Sequence, residues 1–222
     1  MLSRFFESKF FEGMGKFVDV LILSIFFCIC SLPIFTMGAS MTALYYATHK
    51  TIYQGRGYST EFFKAFKNNF KQSTLSWLIF LVLGIILGSD FYITYQMNVA
   101  GQKLGGFCVV FLIFLIIEFA WIIYHFAYIA RFQDNFKTTF KNSGIFVIMH
   151  FTTTVLAVIL AFLFFSACYV CRLLIPFAPG FFALCVHQLL EKVFRKYMSK
   201  EDIIKEDEIM GIYHDADEEE NE

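Results

Sequence analysis

The sequence predicts an all-α, polytopic transmembrane bundle, and three observations carry that prediction. Of 222 residues, 58% are hydrophobic and only 17% charged, against about 25% charged in ordinary soluble domains. The polar residues fall in short clusters, whereas the cover of a soluble core would spread them along the chain. Between the clusters lie apolar runs of roughly 20 residues, the length a helix rising about 1.5 Å per residue needs to cross about 30 Å of hydrocarbon.

The first apolar segment, 17–32, holds one charge, Asp19, near its start, where a carboxylate reaches the interface. It follows the amphipathic stretch Phe5 to Phe11 and runs into a proline turn instead of a small-residue cleavage site, so it reads as a retained span. Segment 34–50 follows Ser31-Leu32-Pro33 and is only partly apolar. Its small residues Gly38, Ala39, Ser40, Thr42 and Ala43 suit a helix packed among neighbours better than one facing lipid. Segments 74–95, 107–130 and 145–171 are long enough to span outright. Segment 180–195 follows Pro176 and Pro179 and, like 34–50, reads as a short span or a re-entrant helix.

Charge orders these six. The clusters Arg4/Lys9/Lys16, Lys50/Arg56/Lys64/Lys67/Lys71, Arg131/Lys137/Lys141 and Lys192/Arg195/Lys196/Lys200 belong in the cytoplasm, while 96–106 and 172–179 hold one basic residue each and belong outside. About six crossings with both termini cytoplasmic satisfy that pattern, so residues 1–200 form the membrane domain. Residues 201–222 hold 11 of the 19 acidic side chains and one Lys, too charged to bury a core; they read as a cytoplasmic tail, largely disordered past a short first helix.

A short repeat supports the layout. Phe66-Lys67-Asn68-Asn69-Phe70-Lys71-Gln72-Ser73 precedes span 74–95, and Phe136-Lys137-Thr138-Thr139-Phe140-Lys141-Asn142-Ser143 precedes the fifth span, 70 residues later. With Phe62, Phe63 and Phe132 upstream, the phenylalanines share one helical face and the lysines lie toward the other. These elbows read as interfacial helices, seated in the lipid headgroup layer or docking a cytoplasmic partner.

Glu118, in the middle of 107–130, is the leading candidate for a functional side chain, because an ionisable group at that depth is costly. Trp121, His125 and Tyr128 share its face, His125 about two turns away and out of direct reach; the candidate partners on other helices are His150, His187, Tyr45, Tyr46 and Thr152 to Thr154. A protonated or hydrogen-bonded packing role competes with a substrate or proton-coupling one. Asp19, Asp90, Arg172 and the i, i+4 pair His187/Glu191 lie near span ends, where side chains snorkel to water. Two ligands do not make a metal site, so no metal or cofactor is expected. The six cysteines, Cys28, Cys30, Cys108, Cys168, Cys171 and Cys185, read as small buried apolar residues, a disulfide at the outer face being the alternative. Neither a phosphate-binding loop nor His-Glu-x-x-His nor Gly-x-Ser-x-Gly occurs. No catalytic residue and no nucleic-acid partner is therefore expected.

The segment from Ser31 to Tyr46, with its Pro33-x-x-Thr36-x-Gly38-Ala39 core, and the elbow ending Asn69-Phe70-Lys71-Gln72-Ser73 resemble the YesL-like family of uncharacterised membrane proteins of Gram-positive bacteria. The likeness extends over about residues 5–200 and leaves out the acidic tail. It implies a companion of carbohydrate uptake systems, an accessory or permease-like component in the cell membrane, and supplies no catalytic residues. The alternative is a non-transporting scaffold or sensor that holds a cytoplasmic partner.

Overall fold

The computed structural model describes the backbone of residues 2–54 and 58–209 and the side chains of 14–51 and 60–207. The expected Phe5 to Phe11 face, Arg4, Lys9, Arg56 and the end of the tail from 210 onward lie outside the described side chains. Eight α-helices make up the described chain: α1 (Leu2–Cys30), α2 (Met37–Gln54), α3 (Tyr58–Val99), α4 (Cys108–Arg131), α5 (Phe136–Met149), α6 (Phe151–Val170), α7 (Ala178–Phe194) and α8 (Lys200–Ile209). Three short 3-10 turns precede α2, α4 and α7, and no strand occurs among the described residues.

Among the described residues three helices are long and apolar enough to cross a membrane: Thr60–Val99, Lys103–Arg131 and Phe151–Val170. Their outward side chains suit lipid. Ile85 is 62% exposed, Phe162 71% and Phe165 66%, and together with their neighbours they form an apolar belt far beyond what soluble monomers expose. α6 turns only a narrow stripe inward, Thr154, Ala157 and Ala161, small side chains that admit close helix contact, whereas α4 is buried on every side from Tyr124 to Ile129.

The core centres on α2. From Met37 to Thr51 only Met37, Met41, Tyr46 and Lys50 escape full burial, the first two and the last two lying on opposite sides of the helix. The Pro33-x-x-Thr36-x-Gly38-Ala39 motif explains how α2 gets there. Thr36 Oγ1 donates to the carbonyls of Cys30 (2.6 Å) and Pro33 (2.7 Å), closing the end of α1 and setting the turn. Gly38 then lets α2 lie directly on α3 and α4, since a Cβ there would stand 2.6 Å from Ser73 O and Trp77 Cβ and 2.8 Å from the Phe126 ring.

α2 and α3 pack side by side. Gly38 meets Ser73 and Trp77 while Ala43, Ala47, Phe62 and Ala65 share a cluster, so α2 runs antiparallel to the first half of α3. That register is offset from the one expected. The Trp77 indole donates to Ile34 O at 2.7 Å, so the α1–α2 turn meets α3 at the beginning of the apolar stretch 74–95. The rest of that stretch runs on beside the first half of α4, with Gly84 against Glu118.

Two further expectations change. The first elbow does not bend: 66–73 continues into the span within α3, 42 residues or about 63 Å long, because nothing from 58 to 83 interrupts helical backbone. Its phenylalanines follow a drifting line, Phe62 fully buried, Phe66 half-buried and Phe70 37% exposed, since steps of four residues advance about 40° around a helix. The second elbow is the separate helix α5, and the expected continuous span 145–171 is broken at His150 (φ −108°, ψ 50°). Thr154 Oγ1 stabilises the break by donating to Val147 O at 2.9 Å and His150 O at 3.1 Å, serving a carbonyl the interrupted helix leaves without its amide. The two elbows nevertheless lie together: Gln72 Nε2 donates to Thr139 Oγ1 at 3.1 Å, and the Phe80 and Phe140 rings stack with centroids 5.4 Å apart. Lys64, Lys67, Lys71, Lys137 and Lys141 all face outward.

Candidate functional site

The intramembrane candidates do not form one site. Trp121 and His125 of α4 both turn to α5, where Trp121 Nε1 donates to Ser143 Oγ at 3.0 Å and His125 Nδ1 lies 3.0 Å from the same oxygen. Tyr128, further along, donates to the Asp134 carboxylate and accepts from Asn142 Nδ2 at 2.9 Å. This is the polar and aromatic stripe read from the sequence, and it joins α4 to the second elbow. Glu118 is apart from it. Its carboxylate is 5% exposed, its Oε1 has no hydrogen-bond partner, and it stands opposite Gly84, where an added Cβ would come within 3.4 Å of both oxygens. His150 lies at the surface, 3.1 Å from the Tyr197 hydroxyl.

His187 belongs to a different cluster, at the end of the bundle where α2, α4 and α7 meet α8. His187 and Glu191 were expected at a water-accessible span end. They are instead 1% and 4% exposed, because α2, α4 and α8 cover that turn of α7. Across from them α2 supplies His49, whose Nδ1 is 2.7 Å from His187 Nε2. Glu191 Oε2 faces both rings, 3.8 Å from His49 Nδ1 and 3.7 Å from His187 Nε2.

Arg131, the last residue of α4, organises the rest. Its guanidinium donates to Glu191 Oε1 at 2.6 Å and to Glu206 of α8 at 2.6 and 3.0 Å, and its Nη1 lies 3.1 Å from His49 Nε2. The fork geometry of arginine allows this double engagement, which a lysine cannot reproduce. Burial alone would push the Glu206 carboxyl up, but hydrogen bonding and charge from His49 and Arg131 outweigh it and hold the group at about 2. Arg195 pairs with the next residue, Asp207, so the acidic tail helix is fastened to the bundle by two carboxylates.

This arrangement can anchor α8 and can offer imidazole and carboxylate ligands to a cation; among the described residues His49, His187 and Glu191 form a triad of the kind that could hold a metal ion. Sequence reasoning recognised the His187/Glu191 spacing and missed His49, 138 residues earlier in the chain. The one available signal was a histidine beside Lys50 in the later half of a helix whose first half is rich in small residues. The cysteines carry no disulfide; Cys108 is buried as expected, Cys171 is exposed and the other four are half-buried.

Residues 18–91 match the family model described as protein of unknown function, DUF624. The match covers a third of the chain: the described part of α1 from Val18, the turn that carries Pro33, Thr36, Gly38 and Ala39, α2 and most of α3. That includes the residues on which the resemblance to YesL-like proteins rests. No curated protein and no solved structure matches the chain.

Proposed function

We propose that this protein is a non-catalytic, multi-pass accessory component of a solute-uptake system in the cell membrane, with both termini in the cytoplasm. Carbohydrate is the solute class implied by the resemblance to YesL-like proteins. The observation that carries the reading is the tie from α8 to the ends of α2, α4 and α7 through Arg131, Glu191, Glu206 and His49. It fixes an acidic helix against the bundle on the side where the elbow lysines face outward, giving a platform of both charges for a partner protein.

The interior supports an accessory role over a solute path. α2 and α7, the proline-preceded helices that would line such a path, are filled against their neighbours: Tyr45, Tyr124, Tyr128, Leu190 and Phe194 pack in one cluster. A groove between α4 and α5, bounded by Ile117, Trp121, Phe140, Lys141, Gly144 and Ile148, opens at the surface and is almost wholly apolar. A scaffold that holds a regulator uses the same platform and is the second reading.

Co-purification separates them. Deleting residues 200–222, or reversing charge at Lys67, Lys71, Lys137 and Lys141, is expected to abolish both partner retention in detergent and solute-dependent growth, while Glu118→Gln leaves both intact. A retained ATPase or solute-binding protein supports the uptake reading, and a retained kinase or transcriptional regulator the scaffold. If Glu118→Gln abolished uptake while the tail deletion had no effect, the chain would be a permease in its own right.

A further inference from the structure

We infer that His49, His187 and Glu191 bind one divalent transition-metal ion of the zinc type. His49 Nδ1, His187 Nε2 and Glu191 Oε2 each supply one ligand atom, all within 4.8 Å of one another. Ligands held about 2.0–2.2 Å from a tetrahedral ion stand roughly 3.3 Å apart, and the three separations of 2.7, 3.7 and 3.8 Å bracket that value. With ring centroids 5.0 Å apart the two nitrogens point almost directly at each other, so seating the ion takes a turn of both rings as well as shifts of roughly half an ångström. Two imidazoles and a carboxylate suit zinc and its neighbours, whereas calcium and magnesium favour all-oxygen cages.

A second observation distinguishes this cluster from a simple hydrogen-bonded histidine pair. An N–H···N bond accounts for the 2.7 Å contact between the rings but leaves Glu191 Oε2 enclosed and without a hydrogen-bond donor, a costly state for a buried carboxylate oxygen. Arg131 holds the other oxygen, Oε1, at 2.6 Å and so turns Oε2 toward the rings. A cation between the rings and Oε2 satisfies that oxygen. Coordination through Nδ1 places the His49 proton on Nε2, so the Arg131 Nη1 that stands 3.1 Å from that nitrogen must turn away from it and Glu206 Oε1, at 3.5 Å, becomes its acceptor, an imidazole–carboxylate pairing that commonly supports metal-bound histidines.

The site stands independently of any partner, so its test does not depend on the proposed uptake role. Tag-free full-length protein in nanodiscs, stripped with chelator, is titrated with Zn²⁺ by calorimetry and with Co²⁺ by absorption. The expected result is one equivalent of Zn²⁺ per chain, affinity at least about 10-fold weaker in His49→Ala and in His187→Ala, and a Co²⁺ spectrum of nitrogen and oxygen ligation. The inference is overturned if the wild-type chain takes up no stoichiometric Zn²⁺, if Co²⁺ shows a thiolate charge-transfer band that places the ion on cysteine, or if both variants keep wild-type affinity. Should the variants fail to fold, the wild-type Co²⁺ spectrum and zinc X-ray absorption, reading imidazole against sulfur ligation, decide the question alone.

Discussion

Arg131 carries more of the structure than any other polar side chain described. Its guanidinium, 8% exposed, neutralises a carboxylate from α7 and another from α8. Removing one partner of a buried ion pair leaves the other charge uncompensated, at a cost of about 3–5 kcal/mol. Arg131→Met should therefore lower the unfolding free energy in detergent by that amount, and Arg131→Lys by less. Combining Arg131→Met with Glu191→Gln should cost much less than the sum of the single changes, which a double-mutant cycle would measure. Gly38 offers a second test. Ser73 O, which a Cβ there would approach to 2.6 Å, is backbone and cannot swing away, so Gly38→Ala should destabilise by about 1–3 kcal/mol. Gly88→Ala, with nothing within 4 Å of the added carbon, should be neutral or slightly stabilising on the same melting assay. These residues also mark the limit of sequence reading. Gly38 was legible as a close-packing residue from its small neighbours, and Glu118 as a buried carboxyl from its depth. The pairing of His49 with His187 was not, because hydropathy and spacing report neighbours along one helix and are silent on residues 138 positions apart.

At the scale of elements, α8 yields a pH prediction. The Glu206 carboxyl is lowered from 4.5 to about 2 by its partners. A carboxyl lowered on folding contributes stability that is fully present above its ordinary value and is lost as pH falls toward its folded one. The protection factors of α8, exchange rates normalised to the intrinsic rate at each pH, should thus be high at pH 5 and fall progressively between about 4.5 and 2, and Glu206→Gln should show low protection without that dependence. The helices themselves were read with mixed success for physical reasons. The small residues of α2 correctly signalled burial on nearly all sides, and the Phe-Lys repeat signalled two amphipathic segments. The break at His150 had no glycine or proline to announce it; it depends on the Thr154 hydroxyl reaching Val147 O, a tertiary detail without periodicity. Conversely, the bend anticipated before Thr74 did not form, since an amphipathic segment and an apolar one can share a single uninterrupted helix.

For the whole molecule, the apolar belt over α3, α4 and α6 makes lipid the fitting surroundings, and the proposed orientation can be checked directly. Single cysteines placed at 67, 137 and 200 in a chain cleared of native cysteine should label from the cytoplasmic side, and one at 101 from outside. Labelling of 67 and 137 from opposite sides would break the proposed order, because those elbows touch. Composition and the length of the apolar runs made the helical class legible. The offset by which α2 lies beside the first half of α3 was not legible, for hydropathy shows that a helix is apolar but not how far it slides along its neighbour.

The Arg131 cluster also imposes an order on biosynthesis. His49 and Arg131 emerge from the ribosome well before Glu191 and Glu206, which lie 60 and 75 residues beyond Arg131. During that interval the ends of α2 and α4 hold a guanidinium and an imidazole whose carboxylate partners do not yet exist. Assembly at this end of the bundle therefore waits on α7 and α8, and a nascent chain halted before residue 191 would display the Arg131 guanidinium without the two carboxylates that neutralise it in the finished fold.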